Sequence, residues 1–257
     1  MIRAALAVLL FAASTPASAQ GYVEESPEDL KKVAQPTAFR GTLPRQIDIS
    51  ATVPPPRSQG EAGTCTSWAA TYAAASHVAR RAPNNAGVAL SPTYTYNQVS
   101  KDTSCATGTN LARTLDLLRD EGALPLTEYA YDAGWCGRMP TTEERARAKT
   151  YRIPGWRVLS DGDLDLVKGQ LAKGVPVLFS TKVGAGFKKL KGDAVWQGEE
   201  STVSEPYGHA MLLVGYDDAK NALRLQNSWG KAWADGGYAW ISYDYWRRAI
   251  RVAFVIE

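Results

Sequence analysis

The hydrophobic pattern of this chain changes once, near Tyr151, and that change limits the folds that the chain can adopt. Before it, small and apolar residues recur at helical spacing in stretches that begin near Cys65, Leu90 and Gly108. After it, short runs rich in β-branched and aromatic residues are separated by turn residues, which is typical of strands. A chain of 257 residues, 45% of them hydrophobic, can bury a core of matching size. We therefore expect an α+β fold with a helical lobe, a β-rich lobe and a cleft between them.

The same patterns predict the individual elements. Gly122 is expected to close one helix as its C-cap, and the Ser-Pro pair at Ser91 is expected to begin another. Helices are predicted from Cys65 to the turn at 83–87, after Ser91, over 108–122 and over 163–173. Strands are predicted within 43–49, 151–159, 175–183, 210–216, 222–226, 237–243 and 251–256.

The start of the chain is typical of a secretory signal peptide. It has a basic residue at Arg3, an apolar run over 4–13 and small residues before Gln20, and the run is too short for a bilayer core of about 30 Å. We expect cleavage after Ala19 and a secreted or periplasmic protein that has no membrane contact once the peptide is removed. Residues 20–42 are polar and are predicted to form an N-terminal extension or short pro-segment. Residues 43–257 are predicted to form one domain, with a helical lobe at about 50–145 and a β-rich lobe at about 146–257.

The net charge bears on the class of binding partner, and the number of cysteines bears on disulfide and metal sites. The net charge is only +3 and no run of Lys or Arg occurs, so we expect no nucleic-acid partner. In an oxidising compartment, three cysteines allow one disulfide and one thiol. Cys105 and Cys136 both lie in loops, and we pair them, which leaves Cys65 free. No CxxC motif or histidine cluster is present, so we expect neither a metal nor a cofactor.

Cys65 stands where a loop containing Gly60 and Gly63 runs into the first predicted helix, with Thr64 as the expected N-cap. A thiol in the first turn of a helix lies near unsatisfied N–H groups and the positive end of the helix dipole, which favour the thiolate. The alternative is that Cys65 is a small buried hydrophobic residue. The glycines favour the nucleophile, since they let backbone approach a ligand, and Gln59 could fold its amide beside the sulfur as an anion donor.

Only two histidines could act as a base. His77 falls about three turns along the helix that begins at Cys65 (77 − 65 = 12), so it cannot reach the thiol. His209 lies at the mouth of an apolar strand, and Asn227 follows the next strand of the expected hairpin. The Asn227 amide could accept from the imidazole and orient it, while Trp229 could exclude water. The alternatives are a structural histidine at 209 and a tight turn with a buried indole at 227–230.

Together these residues resemble the papain-like (C1) cysteine peptidases, from roughly Leu43 to the C-terminus. The resemblance implies that family's two-lobe fold, with a helical left lobe, a β-barrel-like right lobe and the active site in the cleft between them. Cys at the position of Ala62 and Trp at that of Thr66 are typical of the plant and animal members, so this chain is closer to the shorter bacterial branch. The motifs that carry the resemblance are 59–60 with 63–65, 90–92, 108 with the helix to 122, 128–131, 208–210, and 227–230 with 236–238.

The resemblance also implies roles for single residues. The roles are Cys65 as nucleophile, His209 as base, Asn227 as the residue that orients it, Gln59 as oxyanion donor, Trp229 as a shield, and Gly108 and Gly208 as substrate-binding residues. We therefore expect a secreted cysteine endopeptidase, a monomer that acts on proteins or peptides and forms a thioester through a thiolate–imidazolium pair. The alternatives are an amidase or acyltransferase acting on cell-wall peptide and a non-catalytic binding module of the same fold. Residues 20–42 are either an idle tail or a short inhibitory segment across the cleft.

Overall fold

The computed structural model describes residues 21–100, 102–160, 162–198 and 207–257. The predicted signal peptide at 1–19 lies outside these ranges. Within them, no helix combines the length and the apolar character needed to cross a membrane.

Helices dominate the chain as far as Tyr151, as predicted, and fewer follow it. The helix that begins at Cys65 is called α2; its ends, Cys65–Ser67 and Ser76–Ala79, are α-helical, and Trp68–Ala75 between them is π-helical. Every residue of the π-helical part is buried, so the sequence carries no one-sided period that would distinguish the two helix types. The other helices are α1 (Pro27–Leu30), α3 (Pro92–Val99), α4 (Leu111–Asp120), α5 (Thr142–Ala148), α6 (Leu164–Ala172), α7 (Ala185–Lys188) and α8 (Tyr243–Ala249), with 3-10 turns at Ser50–Thr52, Pro83–Asn85 and Lys149–Tyr151.

Helix α4 illustrates why the predicted boundaries are close to those observed. Asn110 caps it through Oδ1, which accepts from the Arg113 amide at 3.0 Å, and Gly122 follows its end with a φ of +76°. Helix α5 is absent from the predicted elements because its seven polar and small residues have no apolar period. A capping box formed by Thr141 and Glu144 nevertheless fixes its start.

The strands form one eight-stranded sheet in the order β2-β8-β3-β5-β6-β7-β4, with β1 paired to the side of β5. All pairs are antiparallel except β4 with β7. Each predicted strand is confirmed, and β4 is too short to have a detectable pattern. The strands are β1 (Gln46–Asp48), β2 (Trp156–Ser160), β3 (Val177–Val183), β4 (Val195–Trp196), β5 (Tyr207–Asp217), β6 (Ala222–Gln226), β7 (Tyr238–Ser242) and β8 (Val252–Ile256).

Strand β5 lies between two hydrophobic clusters. Ala210, Leu212 and Val214 pack in the cluster that contains α2 and α4. Met211 and Leu213 face the opposite side, in the cluster that contains α6 and α8. Because alternate residues of a strand point to opposite faces, β5 is buried on both sides and its position is rigidly determined. This strand carries His209 and so fixes where that side chain can lie.

Candidate active site

Cys65 is the first residue of α2 and is fully buried. The backbone amide of Ala210, on β5, donates to its Sγ at 3.3 Å, so the helix and the sheet meet at this atom. Thr64 occupies the N-cap position, but its hydroxyl makes no capping bond to the helix. It lies instead 2.8 Å from the hydroxyl of Tyr131, which lies in the connection between α4 and α5.

The β5–β6 hairpin brings His209 and Asn227 together as predicted. Asn227 Oδ1 lies 2.7 Å from His209 Nε2, and since that oxygen only accepts, Nε2 carries the hydrogen. The next residue, Ala210, contacts the Cys65 sulfur through its amide, so the same strand reaches the imidazole and the thiol. His209 is the third residue of β5 rather than a residue before the strand, because pairing with β3 extends β5 back to Tyr207.

An indole covers the His209–Asn227 pair. The ring centroid of Trp229 lies 4.8 Å from that of His209, with the rings 30° apart. Phe187 and Trp233 hold this indole at centroid distances of 5.4 and 5.3 Å. Trp229 therefore packs directly against the imidazole that is bonded to Asn227.

Gln59 is buried, and contacts at both ends fix its amide. Its Oε1 accepts from Ser228 Oγ at 2.6 Å, and its Nε2 donates to the carbonyl oxygen of Ala62 at 2.6 Å. One of the two hydrogens on Nε2 is thereby used. Ser228 was not among the predicted site residues. Its place between Asn227 and Trp229 in the matching motif was the only signal that could have identified it.

The backbone of Gly21 lies beside Cys65, and residues 22–23 follow along Thr109. Gly21 is buried, and a β-carbon added to it would overlap Sγ. Thr66 Oγ1 lies 2.9 Å from Gly21 O, and the amide of Val23 donates to Thr109 O at 2.9 Å, in a parallel bridge between Tyr22 and Thr109. The sequence did not indicate these contacts, since they involve backbone and a glycine rather than an apolar pattern.

The segment continues away from the thiol between the two predicted substrate-binding glycines. Tyr22 packs on Gly208, where an added β-carbon would lie 3.1 Å from Tyr22 Cδ1. The hydroxyl of Tyr22 donates to Glu25, whose Oε1 accepts from the Leu111 amide at the start of α4 at 2.9 Å. On the other side, Gly108 lines a cavity of about 690 Å³ together with Glu25 and others.

Burial controls the protonation of the Cys65 thiol and the His209 imidazole. Burial raises the pKa of the Cys65 thiol to about 12, against the weaker effect of the Ala210 amide. Burial also lowers the pKa of His209 to about 4, although the bond to Asn227 opposes the shift. Thiol and imidazole are therefore both neutral near pH 7. The thiolate expected from the helix terminus does not form here, because desolvation outweighs the helix dipole.

The remaining cysteines and histidine lie apart from this centre. Cys105 and Cys136 form the predicted disulfide, and Cys65 is the free thiol. His77 lies in the last turn of α2, where its Nδ1 is 2.9 Å from Thr52 Oγ1. Among the described residues, no three side chains of His, Cys, Asp or Glu lie together as metal ligands would.

Comparison with known proteins agrees with this geometry. The model of the papain family of cysteine proteases matches residues 43–252, and the chain belongs to that family. It is 26% identical to mouse cathepsin K over 205 residues, which cover 78% of this chain and 60% of the relative. It is 27% identical to the gamete and mating-type specific protein A of Dictyostelium discoideum over 195 residues, which cover 75% and 41% of the two chains. The chain thus spans about half the length of these relatives.

Solved structures show the same fold. Xylellain, a cysteine protease from Xylella fastidiosa, superposes with a TM-score of 0.81 over 93% of this chain and 96% of its own, at 23% identity. The digestive procathepsin L2 proteinase from the larval midgut of Tenebrio molitor gives 0.75 over 98% and 83%, at 22% identity. The predicted papain-like α+β fold is thereby confirmed.

Proposed function

We propose that this protein is an endopeptidase that hydrolyses peptide bonds through Cys65 and His209. One observation carries the proposal. A single hairpin holds Asn227 Oδ1 at 2.7 Å from His209 Nε2 and places the amide of the following residue, Ala210, 3.3 Å from Cys65 Sγ. A thiol, an imidazole and an orienting amide in that order are what nucleophilic catalysis by cysteine requires.

The reaction follows from this arrangement. His209 Nδ1 takes the thiol proton, and Sγ then attacks the carbonyl carbon, whose π electrons pass to oxygen. The Cys65 N–H and the free hydrogen on Gln59 Nε2 stabilise that oxyanion. The imidazolium protonates the leaving amine as the C–N bond breaks, which leaves a thioester. His209 then deprotonates a water that attacks the thioester, and the thiol is regenerated.

Residues 21–25 restrain this chemistry in the covered state. Their backbone occupies the space over Sγ that a substrate carbonyl needs, and the same burial keeps Cys65 and His209 neutral. When the segment leaves, water reaches both groups, the desolvation cost is removed, and the position of Cys65 at the start of α2 favours the thiolate. The segment therefore lowers both access and reactivity.

The protein acts outside the cytosol. Two features support this location: the signal-like pattern of residues 1–19 and a disulfide that an oxidising compartment would preserve.

Labelling and turnover test the proposal together. An epoxide thiol inhibitor should label Cys65 once the cleft opens, and the labelled protein should no longer cleave an unfolded protein substrate. Equal cleavage before and after complete labelling would exclude the mechanism, and labelling without any cleavage of proteins would favour a binding module. Release of peptide from purified peptidoglycan, with unfolded proteins left intact, would favour the cell-wall activity.

Truncation tests the restraint. A chain that starts at Leu43 keeps β1 and loses the segment, so we expect a lower apparent KM at similar kcat. Identical kinetics for the two forms, with free digestion by trypsin at Lys31 and Lys32, would show that the segment is an idle tail.

A further inference from the structure

The hydroxyl of Tyr131 contacts both ends of loop 59–64, which leads from Gln59 to Cys65 and so carries the proposed oxyanion donors. It donates to the carbonyl oxygen of Gln59 at 2.7 Å and lies 2.8 Å from Thr64 Oγ1. Because the Gln59 carbonyl can only accept, the Tyr131 hydrogen points to Gln59, and Thr64 donates to the Tyr131 oxygen. One phenol thus links the residue with the side-chain donor to the residue directly before Cys65.

Thr64 gives up its usual local contact to make this link. A threonine at the N-cap ordinarily accepts from a backbone amide of the first helical turn. Here the hydroxyl makes no such bond and is fully buried against Tyr131 instead. Helix capping therefore does not explain the orientation of the Thr64 side chain, whereas its hydrogen bond to Tyr131 does.

Other contacts hold the ends of the loop, and Gln59 Nε2 donates to Ala62 O within it. The Tyr131 hydroxyl adds the link between Gln59 and Thr64. On one side, the backbone amide of Gln59 donates to Ser228 O at 2.8 Å, which anchors that end of the loop to the hairpin of the right lobe. On the other, the Gly63 amide donates to Cys105 O at 2.6 Å, which anchors the loop to the disulfide region. Tyr131 itself is half-buried and packs edge-on against Trp68, with centroids 4.8 Å apart.

We infer that Tyr131 is a positioning residue that sets the spacing between the Gln59 amide and the Cys65 N–H. The inference rests on the proposed function, since it concerns the two groups that would hold the oxyanion. Both donors must meet one oxygen, and small displacements of such groups are costly to the transition state. Without the phenol hydroxyl, Gln59 and Thr64 lose their shared partner, and the bond from Gln59 Nε2 to Ala62 O does not reach Thr64.

The decisive variant is Tyr131→Phe in the full chain, compared in three assays. The first is kcat and KM on a fluorogenic peptide. The second is inhibition by the matching peptide aldehyde: Sγ bonds to the aldehyde carbon, the π pair passes to oxygen, and the imidazolium proton neutralises it within the oxyanion site. The third is alkylation of Cys65 by iodoacetamide, in which Sγ displaces iodide and no oxyanion forms.

We expect kcat to fall about tenfold with KM nearly unchanged, and the inhibition constant of the aldehyde to rise by about the same factor. The alkylation rate should stay within about twofold of wild type, because neither the thiol nor the covering segment is altered. Thr64→Val should reproduce the pattern and Thr64→Ser should restore wild-type values. The Thr64 pair also keeps the inference testable if Tyr131→Phe does not fold.

Tyr129→Phe is the matched control. It removes a phenol hydroxyl that also donates to a backbone carbonyl, that of Arg138, but outside the loop. Its kcat and aldehyde affinity should remain those of wild type. Equal aldehyde affinity in Tyr131→Phe and Tyr129→Phe would overturn the inference, as would an alkylation rate that falls in step with kcat. A wild-type chain that is alkylated but cleaves no peptide would overturn the proposed function and the inference with it.

Discussion

Glu25→Ala tests the covering segment without touching a proposed catalytic residue. The Glu25 carboxylate accepts from the Leu111 amide at 2.9 Å and the Ala112 amide at 3.4 Å, and also from the Tyr22 hydroxyl. It therefore joins the part of the segment on Cys65 to the left-lobe helix α4. Helix α4 keeps its own cap in the variant, because Asn110 Oδ1 still accepts from Arg113.

The magnitude follows from these bonds. Hydrogen bonds to a charged group contribute about 1.5–3 kcal/mol net, so the docked state should be weakened by about that amount. Since about 1.4 kcal/mol is a factor of ten in an equilibrium constant, the open fraction should rise roughly tenfold to a hundredfold. Burial raises the pKa of Cys65 to about 12 while the segment is docked, so alkylation at pH 7 proceeds from open molecules.

The assay is the second-order rate of Cys65 alkylation by iodoacetamide in the full chain at pH 7. Glu25→Ala should react faster than wild type by the factor above. Glu24→Ala removes the same charge from an exposed neighbouring side chain and should react as wild type does. If the two variants react at the same rate, the carboxylate of Glu25 does not hold the segment over the thiol, and the reasoning fails.

Other expectations concern the chemistry and the disulfide. Cys65→Ala should abolish turnover while leaving folding intact, and substantial residual peptidase activity would contradict the mechanism. Asn227→Ala should reduce kcat less than His209→Ala, since an orienting group contributes less than the base it orients; equal losses would mean that the roles are misassigned. Denatured, unreduced protein should show one titratable thiol and reduced protein three, and loss of the Cys105–Cys136 bridge, which spans 31 residues, should cost about 3 to 4 kcal/mol of unfolding free energy in a denaturant titration.

The parts of the fold that the sequence predicts well are those with a local signal. Strands with periodic apolar residues and helices with caps, such as α4 with Asn110 and Gly122, lie where the pattern indicates. The approach of His209 to Asn227 was predictable for a similar reason, because adjacent strands of a hairpin bring their ends together. Short elements such as α5 and β4 carry too few apolar residues for a period to show.

The covering segment was not predictable in that way, although a place across the cleft could be suggested. Residues 20–42 have a polar sequence without a core pattern. The contact of Val23 with Thr109 is made by backbone atoms. Gly21 fits against Cys65 because it has no side chain. The raised pKa of the Cys65 thiol follows from its burial and could not be inferred from its helix position alone.

A short segment could restrain a peptidase, because only the small area around the sulfur of Cys65 has to be covered. Gly21 lies against the Cys65 sulfur, and the side chains of Cys65 and His209 are both buried. Each pKa unit corresponds to about 1.36 kcal/mol between protonation states, so dehydrating both groups opposes the ion pair far more than a few backbone hydrogen bonds would suggest. Under the proposed function, the segment would therefore restrain the reactivity of Cys65 as well as substrate access.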